Sequence, residues 1–192
     1  MSFDTIYALS SGALPSGVAV VRLSGPGAFA ACSQIAGRVP EPRRAALMQL
    51  KDAAGYSIDT ALVLAFSGPS SFTGEDCIEF QLHGGRAVVR AMLDRLSALP
   101  GLRHAEAGEF TRRAFENGKI DLVEAEGLSD MIAAETEMQR RLALEQAGGG
   151  LSDLYEGWAR ELTHARAMIE AELDFSDEDD IPGSDDKKSL RF

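Results

Sequence analysis

The stretch SFTGEDCIEFQLHGG, running from Ser71 to Gly85, packs a turn, a strand and a glycine hinge into fifteen residues. A strand displays alternate side chains on opposite faces. Ile78, Phe80 and Leu82 therefore point one way, into a core, while Cys77, Glu79, Gln81 and His83 share the other face. A polar row on an otherwise apolar strand has two readings. It is the solvated face of an antiparallel sheet, or it is a pocket floor that aims a carboxylate, an amide and an imidazole at a polar heterocycle.

Working outward, short apolar segments with strand character lie at Thr5–Leu9, Val18–Leu23, Leu47–Leu50 and Leu62–Phe66, with a further short strand around Gly101–Ala105. Turn-rich pieces such as Ser24-Gly25-Pro26-Gly27 and Ser67-Gly68-Pro69-Ser70 separate them. Helical spacing predicts helices over Ala28–Ala36 and Arg86–Leu99. From about Glu109 the period becomes 3.6. A short helix carrying Phe110, Ala114 and Phe115 is stopped by Asn117-Gly118. A long helix from Asp121 towards Ala147 then takes Leu122, Ala125, Leu128, Ile132 and Leu142 as core positions, with Asp121 as its N-cap. A last helix, Ser152 to Leu173, carries a stripe through Leu151, Leu154, Tyr155, Trp158, Leu162, Ala165 and Ile169. Gly148-Gly149-Gly150 between them predicts a kink or short break, since each helical glycine costs about 1 kcal/mol. The pattern predicts an α+β fold: an α/β domain over residues 1–118, then a partial helical bundle over 119–192 that leaves apolar surface for other helices or a second protomer.

Composition narrows the functional classes. The chain has 192 residues, 45% of them hydrophobic, and a net charge of −11. Nine of its 30 acidic residues fall between Glu170 and Asp186, a solvated helix end and linker by composition. So acidic a chain is poorly suited to gripping a phosphate backbone by itself, because that grip rests on clustered Lys and Arg. No run of eighteen apolar residues is present to span a membrane, and MSFDTIYALSS lacks the basic leader of a signal peptide. Cys32 and Cys77 have no metal-like spacing and read as buried free thiols of a reducing, cytoplasmic protein.

SFTGEDCIEFQLHGG resembles the signature of the MnmE/TrmE family, the tRNA modification GTPases. Four further segments fit in order: DTIYALSS (Asp4–Ser11), GVAVVRLSGP (Gly17–Pro26), AGEFTRRAFENGKIDLVEAEGLSDMI (Ala107–Ile132) and MIEAELDFSDEDDIP (Met168–Pro182). The resemblance covers the front part of such a protein. It implies a tetrahydrofolate-binding, aminomethyltransferase-like N-terminal domain that forms a homodimer. It also implies a flavin-dependent partner, MnmG/GidA, and modification of the wobble uridine (U34) of tRNA at C5, with 5-formyltetrahydrofolate or a related folate supplying the one-carbon unit. GTP, magnesium and potassium belong to the full-length family protein. One local departure is the turn SGALPSG, which puts Pro15 near the place of a family arginine.

Three residues stand out as a candidate binding site. Arg22, at the end of VAVVR, is costly if buried without an anion; it is a strand-end surface arginine or a planar clamp for a carboxylate or heterocycle. Glu79 pairs with a neighbouring strand or accepts hydrogen bonds from a ring N–H and an exocyclic amine. Lys119, in ENGKID, is a solvated loop lysine or the partner of a ligand carboxylate. The resemblance assigns Arg22, Glu79 and Lys119 to folate. Gln81 and His83 line the same pocket or serve the turn. Glu109, Arg112 and Arg113 read as a solvated face with local ion pairs, and Thr73, Gly74, Glu75 and Asp76 as turn chemistry. Two other classes remain: a dimerisation or docking module with a vestigial pocket, and a self-sufficient aminomethyltransferase, for which no catalytic acid or base is identified.

No metal or nucleophile motif occurs. The one Gly-Lys pair, Gly118-Lys119, has Arg113 and Ile120 where a phosphate-binding loop needs Gly and Ser or Thr. Titration of a fluorescent GTP analogue into the chain is therefore expected to give no saturable binding.

Overall fold

The computed structural model describes residues 4–148 and 150–174. The acidic close beyond residue 174 and the middle glycine of the Gly148–Gly150 run lie outside the described residues. The chain divides into two compact units at Asp121/Leu122.

The first unit holds a six-stranded mixed sheet. Its strands are β1 (Thr5–Leu9), β2 (Ser16–Ser24), β3 (Ala46–Lys51), β4 (Ser57–Phe66), β5 (Cys77–Gly84) and β6 (Leu102–His104), in the order β3-β4-β5-β2-β1-β6. All neighbours are antiparallel except β1 and β6. Helices α1 (Ala28–Ala36) and α2 (Arg86–Ser97) cover one face. The alternation of β5 is obeyed: Ile78, Phe80 and Leu82 are buried with Val21, Leu23, Val63 and Ala65, against Ile35, Val89, Met92 and Leu96 of the helices. Side chains of this kind contribute roughly 1.5–3 kcal/mol each when fully buried, so this face is the source of the unit's stability. Cys32 and Cys77 are free and buried, and burial pushes the Cys32 thiol up to about 11.

The opposite face carries Cys77, Glu79, Gln81 and His83, as alternation requires. Helix α3 (Glu109–Glu116) and the Ser67–Asp76 loop reach over its Ser24–Arg22 end. The rest is uncovered. There a row of cross-strand partners, Leu47–Leu62–Gln81–Val20, includes two exposed leucines, and Val18 is exposed beside it.

The second unit departs from expectation in two ways. The helix predicted from Asp121 to Ala147 is two helices, α4 (Leu122–Ala133) and α5 (Glu137–Ala147). Thr136 restarts the chain with a capping box: its hydroxyl accepts from Gln139 N (3.2 Å), and Gln139 Oε1 accepts from Thr136 N (2.9 Å). The Thr-x-x-Gln signature was present in the sequence, beneath a 3.6 period that runs straight through it. The second departure is that Leu122, Ile132 and Leu142, expected in the core, are exposed. The two helices instead approach through small residues. Gly127 and Ala143 are buried, and a Cβ on Gly127 would lie 2.6 Å from Ala147 N. After α5 ends at Gly148, α6 (Gly150–Asp174) begins, so the glycine run does interrupt the helix. Leu154, Tyr155, Trp158, Leu162 and Ile169 line α6 as predicted but stand exposed.

Gly84 marks where β5 meets the start of β2. A Cβ there would fall 2.2 Å from Ser16 Oγ and 2.4 Å from Ser16 O, and backbone cannot yield as a flexible side chain would. Gly84→Ala is expected to cost about 1–3 kcal/mol, read by urea denaturation; unchanged stability would mean the two strands part freely at this end.

Candidate functional site

Arg22 and Glu79 are register partners on β2 and β5. Both lie on the face that α1 and α2 leave bare. Arg22 Nε donates to Glu79 Oε1 at 2.8 Å, and Nη2 lies 2.7 Å from the same oxygen as an ion pair. The pair is only partly open to water, with 30% of the Arg22 side chain and 18% of the Glu79 side chain exposed. Two aromatic rings flank the guanidinium: Phe72 of the loop at 5.8 Å and Phe110 of α3 at 5.7 Å, measured from Cζ to the ring centroids. Of the two readings of Glu79, the structure shows its pairing with a neighbouring strand, through Arg22 of β2. The planar clamp of Arg22 is, correspondingly, engaged on Glu79.

Lys119 belongs to the same unit but touches neither. Gly118 turns left-handed (φ 64°) after α3, and Lys119 N donates back to Ala114 O at 2.8 Å. The exposed Lys119 side chain then lays its stem against Gly74, where a Cβ would be 3.3 Å from Cγ and Cδ. Gly74 is two residues from Phe72, so one loop borders both the Arg22–Glu79 pair and Lys119. Gln81 sits in the open apolar row. His83 is exposed and hydrogen-bonds Asp59 through Nδ1 (2.8 Å), while its backbone N donates to the other Asp59 oxygen (2.8 Å). Burial opposes the charge on Asp59, yet these bonds hold its carboxyl below the usual range. In the SGALPSG turn, Arg86 Nη2 of α2 reaches Leu14 O at 3.3 Å.

The helix α3 corrects the expected solvated face. Glu109 and Arg113 are buried, with 2% and 3% exposure; Arg112 alone of the three is exposed. Glu109 takes Arg103 on both oxygens (2.5 and 2.8 Å) and Arg113 Nη2 at 3.1 Å. Arg113 also reaches Asp4 Oδ1 (2.8 Å) and both oxygens of Glu75 (3.2 Å), and Arg103 Nε donates to Asp4 Oδ2. Glu75 accepts from Ser24 Oγ at 2.6 Å, and buried Thr73 shares a 2.6 Å bond with the same hydroxyl. What reads as turn chemistry is thus also a buried link from the loop to β2. Sequence reasoning missed Phe72 and Phe110 as neighbours of Arg22. The one signal at Phe72 is that it is an isolated large apolar residue in a polar run; Phe110 reads only as an apolar position of its helix.

Comparison with known proteins gives the family. The description "GTP-binding protein TrmE N-terminus" matches residues 5–119, and "MnmE helical domain" matches 122–191. The chain belongs to the MnmE/TrmE family. It is 67% identical over 184 residues to the tRNA modification GTPase MnmE of Rhizobium meliloti (strain 1021), covering 96% of this chain and 42% of that protein. The protein of the same name from Sinorhizobium medicae is 67% identical over 181 residues (94% of this chain, 41% of that protein), and that of Agrobacterium fabrum 60% over 184 (95% and 42%). The chain thus spans about two-fifths of the length of these MnmE relatives. Among the described residues, no helix is long and apolar enough to cross a membrane, and no cluster of His, Cys, Asp and Glu could hold a metal ion.

The Arg103 guanidinium bound to it, against burial and with help from Glu106 N and Arg113, pulls the Glu109 carboxyl from 4.5 to about 2. A depressed folded value means the carboxylate's contribution is complete above about pH 4.5 and is lost as pH falls towards 2. Glu109→Gln, which leaves two arginines short of a counter-charge, is expected to cost about 3 kcal/mol at neutral pH. That gap should narrow between pH 4.5 and 2 in a urea-denaturation series; a gap independent of pH would place the loss in packing.

Proposed function

We propose that this chain is the N-terminal portion of a tRNA-modifying GTPase, and that its first unit binds a tetrahydrofolate one-carbon donor at Arg22, Glu79 and Lys119. The observation that carries the reading is the Arg22–Glu79 pair, set in the middle of a sheet face, bordered by two aromatic rings and only partly hydrated. A purely structural ion pair gains little from that placement, whereas a planar heterocycle would find a carboxylate acceptor, guanidinium donors and aromatic surface together. Among the described residues nothing in this chain hydrogen-bonds Glu79 Oε2, so an acceptor is left for a ring N–H. The Lys119 ammonium, on the far side of the same loop, suits the carboxylates of a glutamyl tail.

In this reading the folate, when bound, supplies the one-carbon unit; the residues named bind and orient it. The product would be a tRNA whose U34 carries an aminomethyl-type group at C5, made together with a flavin-dependent MnmG/GidA partner in the cytoplasm. GTP, magnesium and potassium enter through the part of MnmE relatives that this chain does not span. Homodimer formation is supported by the uncovered row of Leu47, Leu62 and Val20 beside the candidate site. The same exposed apolar surface favours the second reading, a docking module with a vestigial pocket.

Calorimetric titration with 5-formyltetrahydrofolate, alongside the solution mass, separates them. Saturable binding by a dimer is expected, with at least a tenfold loss in Glu79→Ala, since truncation removes a charged hydrogen-bond acceptor worth about 1.5–3 kcal/mol. Unchanged affinity in Glu79→Ala would move the pocket elsewhere. A folded dimer that ignores folate would leave the docking module.

A further inference from the structure

Strand β3 closes one end of the sheet. Among the described residues it pairs with β4 alone, so the other edge of its backbone is left without a ladder. Between β3 and the C-terminal end of α1 lies a cavity of about 380 Å³. No described residue of β4 lines it, which puts it on the outer side of β3. Leu47 and Met48 give it apolar surface, Gln34 and Gln49 amides, and Arg38 and Lys51 two exposed cations; no carboxylate lines it. The chain carries a net charge of −11, yet residues 38–51 hold four cations and one carboxylate. That carboxylate, Glu41, is paired with Arg44 at 2.8 Å. Arg38, Arg43 and Lys51 form no ion pair among the described residues. Asp52, next along the chain, accepts from the backbone N of Ala54 and Tyr56.

A lysine and a bulge on an edge strand discourage the addition of further strands. Both occur here, at Lys51 and in the register shift between Leu50 and Lys51. That protection depends on the sign of the incoming charge. A second copy would set the cationic run against itself, and like charges directly across a ladder are destabilising. An acidic strand would meet attraction instead. We propose that the β3 edge is a docking site for an extended acidic segment of a partner protein, which adds a strand to the sheet. In strand addition, main-chain hydrogen bonds supply affinity and side-chain pockets supply the choice of partner. The segment that fits carries glutamate or aspartate for Arg38 and Lys51 and an apolar side chain for Leu47 and Met48. The edge lies two strands from β5, and the inference does not depend on the folate reading.

The test uses the 192-residue chain and, as probe, a fluorescently labelled heptapeptide that alternates glutamate with valine. Anisotropy gives its affinity, and hydrogen–deuterium exchange over residues 45–52 gives its place. Saturable binding is expected, with exchange slowed at β3. Arg38→Glu and Lys51→Glu, both at exposed positions, are each expected to weaken it about fivefold, the scale of an exposed ion pair replaced by a repulsion. A lysine–valine peptide, and the glutamate–valine peptide N-methylated along its backbone, are expected not to bind. The proposal is overturned if the probe does not bind, if either control peptide binds as tightly, or if both charge variants leave the affinity unchanged. Full protection of β3 in the free chain would also overturn it, since a second copy would then hold the edge.

Discussion

The end of the sheet's second face that holds Arg22 and Glu79 is framed by a knot of buried charge at the sheet's edge. Glu109 and Arg113 are one helical turn apart on α3 and almost wholly removed from water. Neither is tolerable there alone, because an unpaired buried ion costs several kcal/mol. Asp4 before β1, Glu75 in the β4–β5 connection and Arg103 in β6 supply the counter-charges. Each comes from a different stretch of chain, so satisfying the electrostatics requires all of them to converge. Electrostatics here sets geometry more than it adds stability.

That convergence has a consequence for Arg22 and Glu79. Phe110 lies next to Glu109 in sequence, and Phe72 sits three residues before Glu75. When the knot closes, both rings are carried over β2 to Arg22. The residues that stabilise the edge and those that shape the candidate site are thus adjacent along the chain and rise or fall together. The apolar face under α1 and α2 does different work, holding the sheet together through ordinary burial and leaving the second face for recognition.

The helical unit follows another logic. Its closest packing is between Gly127, Ala143 and Ala147, where small residues let backbones approach. Its large apolar residues, Trp158 and Leu162 among them, stand exposed. Large apolar side chains left exposed along one helix suit contact with a further apolar surface. Periodicity located the α6 stripe correctly, but periodicity reports that a helix has an apolar face, never what covers it.

Local signals in the amino-acid order were sufficient to place the strands, though β4 begins at Ser57 where the apolar run pointed only to Leu62–Phe66, and they sufficed for α1, for the stop at Asn117-Gly118 and for the split between the faces of β5, because strand alternation, glycine turns and helical spacing act over a few residues. Thr136 and Gln139 were equally local and were masked by a stronger period. The partnership of Glu79 with Arg22, 57 positions away, and the burial of Glu109 and Arg113 were not legible in the same way. A charged residue reads as solvated until something distant neutralises it. Whether it is a surface ion or a buried one depends on which segments the fold brings within about 3 Å, and only the closed chain, with Asp4 and Glu75 brought to α3 and Phe72 to Arg22, settles that.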